Sequence, residues 1–180
     1  MAIRNILTKE NMALYKKSRE ITDFNERLWV LLDDMKDTLA TQDGVGLAAP
    51  QVGVLRQAVI VVETNVPEGE EEYMIELVNP VIVECEGEQE GTEGCLSVPG
   101  EYGIVKRPNK VKVRAQDRNG EFFEVEGEGL TARCFCHEID HLDGIIFTSL
   151  ASHMLTEEEL NKIAGQSEDS DIGESQNEEE

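Results

Sequence analysis

Arg133-Cys134-Phe135-Cys136-His137-Glu138-Ile139-Asp140-His141-Leu142-Asp143-Gly144 is the stretch on which the reading of this chain turns. It contains H-E-x-x-H. Residues four apart on an α-helix share a face, so His137 and His141 can offer imidazole nitrogens to one metal ion. Glu138 stands beside that ion rather than on it, where a general acid/base passes protons to and from an activated water. A catalytic ion of this kind takes three protein ligands and keeps one position open, so a third ligand must come from elsewhere. The candidates are Cys85, Cys95, Cys134, Cys136, His153 and various carboxylates. Cys134 could share the histidine face, but three ligands on one short helix would crowd the ion. Cys136 points elsewhere. His153 lies near a helix start, where a surface or capping role is commoner. Cys95, preceded by Gly94, is weakly preferred, and spacing alone leaves the choice open.

The 180 residues suit one domain, with 39% hydrophobic and 30% charged residues. The formal charge of -22 is strongly acidic, which disfavours direct nucleic-acid binding. From Glu157 to Glu180 there are ten acids against one lysine. No run of about 18 apolar residues exists to span a membrane, and the start lacks the build of a signal peptide. Four cysteines are few for a secreted disulfide scaffold. These features predict a cytoplasmic chain with no membrane partner.

The pattern predicts an α+β fold in which short antiparallel sheets pack around the late H-E-x-x-H helix, from about Leu130 to Leu142, with an early amphipathic helix and a C-terminal helix. Phe24, Leu28, Leu31, Met35 and Leu39 recur at helical spacing, with Asp23 and Glu26 as a capping box. Gly44, Gly46, Pro50 and Gly53 preclude a regular helix after it and let the backbone approach a neighbour closely. Strands are expected at 58–62, 73–78, 81–84, 103–106, 110–116 and 122–126, with Asn119-Gly120 as a hairpin turn. Ile145-Ile146-Phe147 suggests a last strand. Thr156 and Glu159 form a second capping box, and Gly165 is a candidate C-cap. The segment 166–180, acidic with a single Ile172, is expected to be a disordered tail after a catalytic domain of residues 1–165.

Three segments together resemble peptide deformylase: Gly44-Val45-Gly46-Leu47-Ala48-Ala49-Pro50-Gln51, Glu93-Gly94-Cys95-Leu96-Ser97, and His137 through Gly144. The resemblance implies that Cys95, His137 and His141 are metal ligands and that Glu138 is the acid/base. It implies that Gln51 and the Leu96 N–H hold the oxyanion, and that the stretch around Val45 and Gly46 binds substrate backbone as an added strand. Val45, Leu130 and Cys134 are candidates for an apolar methionine pocket. Arg107 is expected to pair with Glu93 and fix the Cys95 loop. The implied activity is removal of the N-formyl group from the starting methionine of nascent polypeptides near the ribosome, releasing formate. The implied cofactor is Fe2+, with Zn2+ or Ni2+ also accepted, and the protein is expected to be a monomer. Two places depart from the family pattern. Residues 10–15 replace a Gly-Asp-Pro-like turn, and Thr131 replaces an aliphatic residue, which is expected to reshape one pocket wall. The competing readings are an H-E-x-x-H endopeptidase and a non-catalytic metal-binding protein.

Overall fold

The computed structural model describes residues 2–171, without the side chains of 166–171. It has three α-helices, α1 (Glu26–Leu39), α2 (Leu130–Leu142) and α3 (Glu157–Asp171). The strands are β1 (Gly46–Ala48), β2 (Ala58–Glu63), β3 (Tyr73–Glu86), β4 (Gln89–Cys95), β5 (Val98–Arg107), β6 (Lys110–Gln116), β7 (Phe122–Glu128) and β8 (His153–Met154). Every ladder is antiparallel, in a five-stranded sheet ordered β1-β2-β3-β6-β7 and a three-stranded sheet ordered β4-β5-β8. The α+β architecture built around α2 is therefore present.

The β2 sequence Ala58-Val59-Ile60-Val61-Val62 explains how the layers assemble. Its residues alternate between two buried faces, so it reads as a continuous apolar run. Val59 and Val61 join Ala132, Cys134, Phe135 and Leu142 of α2 in one core. Ala58 and Ile60 join Leu28, Leu31, Leu32, Met35 and Leu39 of α1 in a second. A third core, of Leu14, Val98, Val105, Ile146 and Phe147, lies against the three-stranded sheet. The histidine helix is thus packed on the larger sheet while its metal-facing side turns toward β4 and β5.

Local chemistry corrects several expectations. The cap of α1 is Asn25, whose side chain accepts from the Arg27 and Leu28 N–H groups. Asp23 lies two residues before that cap, too early to reach the first-turn donors. The strands expected at 73–78 and 81–84 are one, β3, running through Asn79-Pro80 with register shifts. A bulge absorbs the missing proline N–H. Asn79 has φ of 50°, and its side chain receives the Ile21 N–H and donates to Ile21 O and Gln116 Oε1. Ile145-Ile146-Phe147 is not a strand: Ile146 and Phe147 are buried, and Phe147–Ser149 is a 3-10 turn. The last strand is β8, paired with β5. The Thr156–Glu159 capping box forms, but α3 continues past Gly165 to Asp171. Gly165 is therefore not its C-cap, and residues 166–171, expected to be disordered, are helical. The rest of the expected tail, 172–180, lies outside the described residues.

Asn79 both tolerates a left-handed backbone and ties the segment before α1 to the sheet. Asn79→Ala loses both functions, whereas Asn79→Gly loses only the hydrogen bonds. Denaturant unfolding should show both variants destabilised by roughly 1–3 kcal/mol, alanine more than glycine. Equal or reversed effects would show that the backbone conformation costs nothing at this position.

Candidate metal centre and catalytic cleft

The centre is assembled where α2 crosses the end of the β4–β5 hairpin. β4 pairs with β5 up to Gly94↔Tyr102, then shifts register so that Cys95 faces Val98 across a tight turn. A Cβ on Gly94 would come within 2.6 Å of the Tyr102 ring, so only glycine lets that ring pack against the turn. The turn brings the Cys95 Sγ to 3.3 Å from His141 Nε2. Donor atoms of Cys95, His137 and His141 all lie within 4.8 Å of one another. Cys85 is exposed, Cys136 is buried with its thiol pushed up to about 11 chiefly by burial, and His153 binds Glu159.

Glu93 orients the first histidine. Its Oε2 lies 2.9 Å from His137 Nδ1, so Nδ1 carries the proton and Nε2 keeps its lone pair for a metal. The same carboxylate accepts from Arg107 Nε at 2.7 Å, Arg107 Nη2 at 3.0 Å and Arg133 Nη1 at 3.0 Å. Arg107 also reaches Asp140 Oδ2 at 2.6 Å. Burial alone would raise the Glu93 pKa, but the hydrogen bonds from His137 and Arg107 outweigh it and hold it at about 2. The anticipated Glu93–Arg107 pair is present and buried. The links to Arg133, His137 and Asp140 were not anticipated, though their spacing puts them on one face of α2.

The donor set fits a divalent ion. Burial works against an imidazolium at His137, yet the Cys95 hydrogen bond and Glu93 raise its pKa to about 10. Surroundings that favour a proton there favour a cation in its place. Burial pushes His141 the other way, well below its usual range, so it is the neutral imidazole that a metal requires. One thiolate and two imidazoles suit transition metals such as zinc or iron rather than magnesium or calcium.

Glu138 is buried on the cleft side, and its Oε2 has no hydrogen-bond partner among the described residues. Burial is the main cause that lifts its pKa to about 7, poised to take up or release a proton near neutrality. β1 comes very close to it: a Cβ on Gly46 would clash with Glu138 Oε1 and meet Cys134 Sγ at 2.7 Å. Gln51 is held in place by accepting the Ala48 N–H at its Oε1, 2.8 Å. Its Nε2 donates to Ser97 Oγ at 3.1 Å and faces Cys95 Sγ at 3.5 Å. The cleft has a volume of about 560 Å³. Val45, Gly46, Gln51, Cys95, Leu96, Leu130, Cys134, His137 and Glu138 line it, with His141 buried behind. The Cys134 Sγ bonds to Val45 O at 3.2 Å. Thr131 does not line this cleft. It is buried with its Oγ1 on Glu63 Oε1, 2.7 Å, which replaces the expected change in pocket wall with a link to the end of β2.

The chain is similar to known proteins over most of its length. The family model described as polypeptide deformylase matches residues 3–157. The chain is 50% identical over 172 residues to the peptide deformylase of Caldicellulosiruptor bescii, covering 96% of this chain and 99% of that one. It is 47% identical over 165 residues to peptide deformylase 1 of Bacillus subtilis, covering 92% and 100%. Among solved structures, a peptide deformylase from Legionella pneumophila superposes with a TM-score of 0.76 at 41% identity, covering 92% of this chain and 98% of that one. One from Thermotoga maritima gives 0.76 at 33%, covering 84% and 99%.

If Glu93 sets the His137 tautomer, its replacement must weaken metal retention. Glu93→Gln should lower metal affinity about 10–100-fold, read as metal remaining after equilibration with a graded chelator. Retention equal to that of the parent protein would remove Glu93 from this role.

Proposed function

The chain belongs to the polypeptide deformylase family and hydrolyses the N-formyl group from nascent peptides, and we propose that Cys95, His137 and His141 hold its metal, with Glu138 as the acid/base. The observation that carries this assignment is the gathering of those three donors in a cleft also lined by Glu138, whose Oε2 has no hydrogen-bond partner among the described residues. A divalent ion there supplies Lewis acidity, polarising the formyl carbonyl and acidifying a water beside it. The protein's groups do the rest. Glu138 takes the proton of the attacking water and returns it to the leaving nitrogen. Gln51 Nε2 and the Leu96 N–H donate to the carbonyl oxygen as negative charge grows on it.

Binding follows from β1. It lies at one edge of its sheet, paired among the described residues only with β2. A peptide added along Val45 and Gly46 extends the sheet, with the methionine side chain among Val45, Leu130 and Cys134. The close approach of Gly46 to Glu138 leaves little room around the reacting carbon, which favours formyl over larger acyl groups. We assign ferrous iron as the working metal. The usual affinity order places zinc above it for such ligands, so iron should be lost, and zinc or nickel gained, in air. No helix of the described residues is long and apolar enough to cross a membrane. With a charge of -22, the reading is a cytoplasmic monomer that meets nascent chains near the ribosome without binding nucleic acid directly. The catalytic unit is residues 1–165.

Glu138→Ala should keep its metal yet lose about a hundred- to ten-thousand-fold in kcat, measured as formate release from a formyl-Met peptide beside metal content. Loss of the metal would make Glu138 a ligand or a structural group instead. Deleting residues 166–180 should leave turnover of short formyl peptides unchanged, because surface charge is screened beyond about 10 Å at moderate salt. A clear fall in turnover or thermal midpoint would place that segment within the working enzyme.

A further inference from the structure

A second cavity, of about 340 Å³, shares no lining residue with the catalytic cleft. Its size is within the range of small-molecule sites, roughly 300–1,000 Å³. It lies at the start of α1. Ile21, Leu28, Leu31 and Val54 give it apolar walls, and Arg4, Arg27 and Arg56 also line it.

The arginines are the unusual part. The whole chain has 16 Lys and Arg against 38 Asp and Glu, so basic side chains have abundant acidic partners to choose from. Arg4 has taken one, with Nη2 at 2.8 Å from Asp34 Oδ2. Arg27 and Arg56 are exposed and have no carboxylate partner among the described residues. Asp23 is the single carboxylate lining the cavity. The charged part of the lining is therefore net positive in a strongly negative protein, beside the apolar side chains of Ile21, Leu28, Leu31 and Val54 and the polar Thr22 and Asn25. Two planar guanidinium groups suit a carboxylate, which each can meet with paired N–H donors. The walls suit an aliphatic body rather than a bare ion.

We propose that this cavity binds a small amphiphilic carboxylate, with Arg27 and Arg56 on the carboxylate and Ile21, Leu28, Leu31 and Val54 around its aliphatic body. Leu28 and Leu31 belong to the core that joins α1 to the sheet. Occupancy would therefore tighten the folded state by mass action and raise its thermal midpoint.

The test titrates octanoate into the metal-loaded full chain by calorimetry, with 1-octanol, octylammonium and inorganic phosphate as comparators. Octanoate should bind saturably at one site and raise the thermal midpoint. The three comparators should each bind at least about tenfold more weakly, and Arg27→Gln/Arg56→Gln should weaken octanoate by a similar factor. Both arginines are exposed and lie outside the catalytic cleft, so this variant should keep its turnover of formyl-Met peptide. Arg27→Lys/Arg56→Lys, which keeps the charge, should recover part of the affinity. The proposal is overturned if octanoate does not bind, or if it binds the glutamine variant as tightly, which would put it elsewhere. Octanol binding equally well would show an apolar hole without anion recognition. Phosphate binding equally well would show a charge-only surface.

Discussion

The buried carboxylate of Glu93 is the contact on which the catalytic end of the molecule depends. It accepts hydrogen bonds from His137, Arg107 and Arg133, while Arg107 continues to Asp140. His137, Arg133 and Asp140 are on α2, and Arg107 is on β5. A single group thus fastens the histidine helix to the hairpin that carries Cys95. Burying such charges costs several kcal/mol per ion unless hydrogen bonds satisfy them, and removing one partner typically costs about 3–5 kcal/mol. The return on this arrangement is position: Cys95 and the two histidines come from separate elements, yet their donor atoms converge within 4.8 Å.

The rest of the fold serves that convergence. β2 is covered on both faces, by α2 through Val59 and Val61 and by α1 through Ala58 and Ile60. The α2 helix therefore sits on a rigid platform while its polar face turns inward. β1, next to β2, carries Gly46 so close to Glu138 that a side chain has no space. The same short strand supplies the Ala48 N–H that fixes Gln51. The N-terminal segment closes the frame: the Leu7 N–H reaches Gln51 O at 2.7 Å and the Lys9 N–H reaches Ser97 O at 2.9 Å. Cys95 is set by the end of the β4–β5 hairpin, Gln51 by its bond to β1, and His137, Glu138 and His141 by their places on α2.

Much of this was legible before the structure. The β2 run, the α2 span and the hairpin at Asn119-Gly120 follow from periodicity and turn chemistry. The reach of α2 was right because thirteen apolar and polar residues in helical order leave little freedom. Spacing prefers Cys95 only weakly, because no local signal encodes the β4–β5 register shift that brings its sulfur to His141; the resemblance singles it out. The continuity of β3 was hidden for a related reason. Asn79-Pro80 looks like a break, and only tertiary bonds from Asn79 to Ile21 and Gln116 make it a bulge. The pairing of Asp23 with Glu26 points to Asp23 as the cap, whereas the structure uses Asn25, an equally good capping residue. Arg133 and Asp140 could have been read from their spacing around His137, but charged residues on a helix face are usually solvated.

The account stands on a metal held by one sulfur and two imidazole nitrogens. X-ray absorption at the metal edge of anaerobically purified protein tests this most directly. It should show a single sulfur at about 2.3 Å and two nitrogen ligands from imidazole, with a remaining light-atom ligand. Two sulfurs would bring Cys134 or Cys136 into the shell, and none would remove Cys95; either result would contradict the assignment.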